Sequence, residues 1–178
     1  DVYIKCKWYI ILYMFRNDSF EKNKIIQIMS QLRHHLINMD EIDKICKQIN
    51  EHERFIAYGS PTLLNLLFDF QVDMKIFDKT VLLSSVNNGK ILVPKNNDLI
   101  GLFTATGRLL GCCDAKFQEV VLDTKNTKIL FSKSQINSEY IDFSFSMDTD
   151  NDYYEMHYVF LFLFDLIKTR YYELYIKE

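Results

Sequence analysis

The chain has 178 residues, 48% of them apolar and 15% aromatic, enough to bury a core in one domain. Its 21 basic and 24 acidic residues leave a net charge of −3, which excludes a uniformly basic nucleic-acid face. No apolar run approaches the roughly 20 residues of a membrane-spanning helix, and Val2–Phe15 carries Lys5 and Lys7, unlike a secretory leader.

Charge is uneven along the chain. Segments 1–38 and 71–136 each sum to +3, while 39–70 sums to −3 and 137–178 to −6. The chain begins at Asp1 rather than Met, which leads to the expectation of a trimmed chain or a fragment of something larger. Four cysteines (Cys6, Cys46, Cys112, Cys113) lack framework spacing. They read as buried thiols in a reducing, intracellular compartment, cytoplasmic or nuclear.

In chain order, Val2–Phe15 alternates and then becomes continuously apolar, which predicts a strand entering the core. Asp18 with Glu21 resembles a capping box, and Ile25, Met29, Leu32 and Leu36 follow at helical spacing. Asp40 starts a second helix whose Ile42, Ile45, Cys46 and Ile49 repeat that spacing, giving a helical hairpin. Arg54–Tyr58 is a short apolar segment closed by Gly59. Ser60-Pro61 then reads as an N-cap followed by Pro at the first helical position, opening a short helix over Thr62–Phe70. A composition change follows, with a boundary near 70–75: a mostly helical part, 1–70, either its own lobe or packed on the sheet as one domain, and a β part, 71–178.

The β part organises the reading. Strands are expected at about 75–86, 90–94, 99–105, 108–113, 117–123, 128–133 and 140–147, separated by turn signals. Asn88-Gly89 is the strongest hairpin signal, and Thr106-Gly107 turns the third strand into the fourth. In the last strand Ile141, Phe143, Phe145 and Met147 alternate with polar residues, so one face should be buried. From Tyr153 onward, capped by Asp150, Asn151 or Asp152, a helix is expected, with a strand over His157–Phe164 as the alternative. The predicted class is therefore α+β: an N-terminal strand and helical hairpin, then an antiparallel sheet or small barrel of about seven strands closed by a C-terminal helix.

Chemical motifs are few. Asp148, Asp150 and Asp152 have the spacing that opens a calcium loop, but Tyr153 and Val159 stand where that loop needs Gly and Glu. They read as a solvated, helix-capping turn. His34 and His35 are adjacent on a helix and point about 100° apart, so they cannot share a metal. Vicinal Cys112-Cys113 form neither a zinc pair nor C-x-x-C. Gly107 and Gly111 match no phosphate-binding fingerprint, and no two carboxylates pair as acid and base. No catalytic residue, metal or cofactor is expected.

Seven antiparallel strands with a terminal helix resemble a pleckstrin-homology-type barrel. They are also similar to the OB-folds of single-strand-binding complexes, which usually carry a helix between strands three and four that Ala115–Gln118 is too short to supply. On this reading the chain is a non-enzymatic protein-interaction module within a larger complex, docking another protein or a second copy. Aromatic Trp8, Tyr9, Tyr172 and Tyr175 form the expected interface. The alternative is single-stranded nucleic-acid binding, with Lys90, Lys95, Arg108 and Lys116 contacting phosphates and Phe103 and Phe117 stacking on bases. Lipid head-group binding by the same lysines is a third reading.

Overall fold

Three runs of consecutive apolar residues, Phe55–Tyr58, Leu99–Phe103 and Ile129–Phe131, become the middle of a sheet covered on both faces. The computed structural model describes residues 38–86, 90–111, 113–146 and 153–177. The elements are α1 (Met39–Glu51), β1 (Arg54–Gly59), α2 (Pro61–Asn65), α3 (Phe68–Ile76) and β2 (Thr80–Ser85), followed by β3 (Asp98–Thr104) and α4 (Arg108–Gly111). Next come α5 (Ala115–Phe117), which continues as a π-helical turn over Gln118–Leu122, then β4 (Lys128–Ser132), β5 (Phe143–Ser146) and α6 (Tyr153–Tyr175). Among the described residues five strands form one sheet in the order β2-β1-β3-β4-β5. Every pairing is parallel, with Arg54 opposite both Thr80 and Asp98, Ile100 opposite Lys128, and Ile129 opposite Phe143.

Parallel strands need crossovers rather than hairpins, so helices fall on both faces and the strands lose alternation. All seven residues of β3 and all five of β4 are buried. On one face Ile56, Tyr58, Ile100, Leu102 and Leu130 pack with Phe117, Val121 and Leu122. On the other, an aromatic layer joins strands to helices. Phe103 stacks on Phe131 at 4.7 Å, Phe55 meets Phe70 of α3 edge-on, and Phe164 of α6 contacts Phe70, Phe103 and Phe131.

Local chemistry sets the helix ends. The Asn38 side chain accepts from the Asp40 amide and starts α1, whose Ile42, Ile45, Cys46 and Ile49 are all buried. Ser60 caps α2, with Pro61 in its first turn, as expected. The C-terminal element is a helix, also as expected. Two ion-pair ties bind α6 to its neighbours. Lys168 Nζ donates to Asp73 at 2.6 Å and to Asp165 at 3.1 Å. Arg170 grips Asp43 with both arms of its guanidinium, at 2.7 and 2.9 Å.

Among the described residues the expected antiparallel sheet or barrel is replaced by the parallel one. Segment 68–76, which overlaps the first expected strand, is α3; only 80–85 of that strand pairs. Residues 90–94 belong to no strand, 108–111 is helical, and 117–122 lies in α5 and its π-helical continuation. Expected strands at 99–105, 128–133 and 140–147 correspond to β3, β4 and β5, but run parallel. In β5 Phe145 is buried while Phe143 is exposed, so the alternation reaches the core only in part. β1 lies N-terminal to the boundary expected near residue 70, yet pairs with β2 and β3 beyond it. The strand expected at 2–15, the helix at 18–36, His34, His35, Asn88-Gly89, Cys112 and the acidic turn at 148–152 lie outside the described residues.

Candidate functional site: a cleft at the ends of β1 and β3

The chain leaves β1 for β2 on one side and later enters β3 on the other. Crossovers therefore diverge between β1 and β3, and in open parallel sheets the carboxyl ends at such a point leave a crevice. A cleft of about 770 Å³ opens there, lined by Ser60, Thr104, Thr106, Arg108, Cys113 and Asp114 around an apolar floor that includes Leu63, Phe103 and Phe117.

Each polar group is placed by its element. Ser60 follows β1, and its Oγ accepts from the Leu63 amide at 3.4 Å. Thr104 is the last residue of β3 and is 6% exposed. Two residues later Thr106 is exposed, and Gly107 turns the chain at φ +76°, a conformation in which a Cβ would be strained. Arg108 follows, at the start of α4. Asp114 caps α5, its Oδ1 accepting from the Phe117 amide at 2.7 Å. Neither Arg108 nor Asp114 belongs to an ion pair among the described residues. The cleft thus offers one cationic fork, three hydroxyls and one carboxylate. A guanidinium and hydroxyls lining one cleft suit a phosphate, which accepts several hydrogen bonds and matches the planar fork of Arg. A carboxylate suits the hydroxyls of a polyol. Among the described residues no group of three or more His, Cys, Asp or Glu is placed to hold a metal ion.

Of the residues singled out from sequence, Arg108, Phe103 and Phe117 meet at this cleft. Phe103 and Phe117 are 2% and 1% exposed, too buried to present rings to a base. Lys90, Lys95 and Lys116 are exposed on loops and on α5 and do not line the cleft. Tyr172 and Tyr175 are exposed near the end of α6, where Tyr172 packs on Phe77 at 5.6 Å. Trp8 and Tyr9 lie outside the described residues. Sequence reasoning missed Ser60, Thr104, Thr106 and Asp114. Their signal was present: two apolar runs, RFIAYG and DLIGLF, each run directly into hydroxyl residues, as parallel strands do where they end in binding loops.

Solved structures share this architecture. A Methanococcus jannaschii protein, whose structure infers a function as 3-hexulose-6-phosphate isomerase, aligns with TM-score 0.66 and 14% identity over 86% of this chain and 90% of its own. The Vibrio vulnificus NanR protein complexed with ManNAc-6P aligns with TM-score 0.69 and 9% identity over 94% and 67%. The sugar isomerase domain of the RpiR transcription factor from Sphaerobacter thermophilus aligns with TM-score 0.65 and 8% identity over 88% and 91%. At 8–14% identity the likeness is one of fold alone: a parallel sheet between helices, shared with these three proteins. No family model matches the sequence, and no curated protein matches it.

This likeness overturns the expectation of a non-enzymatic adaptor and its alternative, a small-barrel single-strand binder. No barrel exists among the described residues to carry the basic and aromatic surface, and the fold is shared with domains described as sugar-phosphate isomerases. Among the described residues no helix is long and apolar enough to cross a membrane. The longest, α6, carries Asp165, Lys168 and Arg170.

Proposed function

We propose that residues 38–177 form a sugar-phosphate-binding domain. The observation that carries the reading is the placement of Arg108, Ser60, Thr104 and Thr106 around one cleft at the β1/β3 switch point. Arg108 and the hydroxyls take the phosphate, and the sugar chain extends across the apolar floor toward Asp114. The ManNAc-6P complex of a protein with the same fold supports the ligand class.

Isothermal titration tests it directly. Arabinose 5-phosphate or glucose 6-phosphate should bind, arabinose and glucose should not, and Arg108→Ala should weaken phosphate-dependent binding by about 10- to 100-fold, the worth of a charge-assisted bidentate contact. Equal affinity for sugar and sugar phosphate would sink the proposal.

A second reading, aldose–ketose isomerisation, rests on Asp114. A carboxylate in reach of a sugar's C2 can take its proton and return it to C1 through an enediol, while a hydroxyl proton passes from O2 to O1, with no net oxidation. Transfer in heavy water should then incorporate deuterium at carbon in the wild type and not in Asp114→Asn.

A further inference from the structure

The cleft carries two charges that no other described side chain neutralises: Arg108 and Asp114. Asp114 is also held in place. Its Oδ1 is committed to the Phe117 amide at 2.7 Å as the cap of α5, so the carboxylate cannot swing away from an incoming ligand at the cost of a rotamer alone. A fixed negative charge in a concave, partly apolar site acts on whatever shares that site. It repels a second anionic group and accepts hydrogen bonds from neutral hydroxyls.

We propose that Asp114 is a specificity-determining residue that selects sugars carrying a single anionic end, the phosphate, and rejects those with a carboxylate at the opposite end. This rests on the sugar-phosphate reading above and sharpens it: the ligand class is the aldose or ketose monophosphate rather than the aldonate phosphate.

Capping chemistry makes a clean test available. Asn and Ser cap helices about as well as Asp, so Asp114→Asn and Asp114→Ser remove the charge while leaving α5 with a cap. The probes are glucose 6-phosphate against 6-phosphogluconate, and arabinose 5-phosphate against 5-phosphoarabinonate. Each pair differs only by oxidation at C1. Wild type should bind the sugar phosphate about tenfold or more tightly than its aldonate, with the ratio shrinking as salt rises. Both variants should bring the ratio within about threefold, while their far-ultraviolet circular dichroism matches wild type.

A wild-type ratio near one, or a ratio unmoved in the variants, overturns the assignment of Asp114 and leaves the sugar-phosphate reading standing. Failure of wild type to bind either sugar phosphate overturns that reading and this assignment with it. Calorimetric affinity, not turnover, is the readout, so the result stands whether or not Asp114 also moves a proton.

Discussion

Gly101 leaves room for the ring of Phe55. A Cβ on Gly101 would lie 2.5 Å from Phe55 Cε2 and 2.9 Å from Phe103 Cε2. Phe55 makes edge-on contacts with both Phe70 and Phe103, so it has no space to retreat. Gly101→Ala should therefore destabilise despite the usual gain of Ala over Gly in a strand. The cost expected for overpacking is about 1–3 kcal/mol, read as a lower urea midpoint. A midpoint equal to wild type would show that the aromatic layer yields.

The base of β3 supplies a pH dependence. Burial alone raises the Asp98 carboxyl, but hydrogen bonds from Arg54 and from the Lys95 amide hold it below the ordinary carboxylate range. A carboxylate depressed in the folded state stabilises at pH above its unfolded value, roughly 4, and loses that stabilisation as pH falls through the lower folded value. Wild type should lose stability below about pH 4. Asp98→Asn should show a shallower acid decline and be less stable at pH 7 by about 3 kcal/mol, the low end for a broken buried pair because Arg54 keeps 18% side-chain exposure. Urea titrations from pH 3 to 7 separate the two effects.

Gly107 should matter twice. Its φ of +76° strains any side chain by about 1–2 kcal/mol, and an added Cβ would lie 2.6 Å from Ile136 Cδ1. Gly107→Ala should lower the melting temperature and, because Thr106 and Arg108 flank it, weaken sugar-phosphate binding as well. A variant that loses stability but binds normally would detach the turn from the site.

Tyr58 ties an irregular segment to the sheet. Its hydroxyl donates to the Leu92 carbonyl at 2.7 Å, and the Leu92 amide donates to Ser84 Oγ at 3.1 Å. Burial pushes the phenol's pKa upward, with Asp98 adding to it, so this bond persists at alkaline pH. Tyr58→Phe should cost about 1–2 kcal/mol by leaving the carbonyl unsatisfied. Hydrogen exchange should quicken at the Leu92 amide if the tie matters, and stay at the wild-type rate if it does not.

Local signals were legible where the physics is local. The apolar stripe of α1, the Ser60-Pro61 start of α2 and the helical C-terminus follow from side chains within a few residues of one another, although α1 is capped by Asn38 and not opened by Asp40 as expected. Strand direction does not, because it is set by where the chain returns after a crossover, and the same apolar run serves either orientation. Continuous burial was the available clue: LIGLF lacks the alternation of a half-wet antiparallel strand. Helical segments also read, in part or whole, as strands. The expected helix over 62–70 and strand from 75 divide FDFQVDMKI between them, yet the whole segment forms α3, burying Phe70 and Met74 and exposing Phe68, Val72 and Ile76. In α5 and its continuation the buried residues Val121 and Leu122 lie four and five residues after buried Phe117, so the segment expected as a strand over 117–123 is helical.

The site was hidden for the same reason. Thr106-Gly107 announces a turn, but a turn signal does not say whether a strand or a helix follows, and Leu109-Leu110 was too short to decide. Once β3 is known to run parallel to β1, Thr104 and Ser60 become neighbours at one end of the sheet, and the polar groups beyond them face a shared crevice.

Arg54 and Asp98, paired at the start of β1 and β3, are 44 residues apart in sequence. During synthesis, β1 is made long before its central partner, and the crevice has no second wall until β3 has emerged and threaded in beside it. Its two charges are complete only after Asp114. Any compound held there needs β1 and β3 side by side with Asp114 already made, so it stabilises folded chains over nascent ones. A cell rich in that compound would protect mature chains and leave nascent ones to fold unaided.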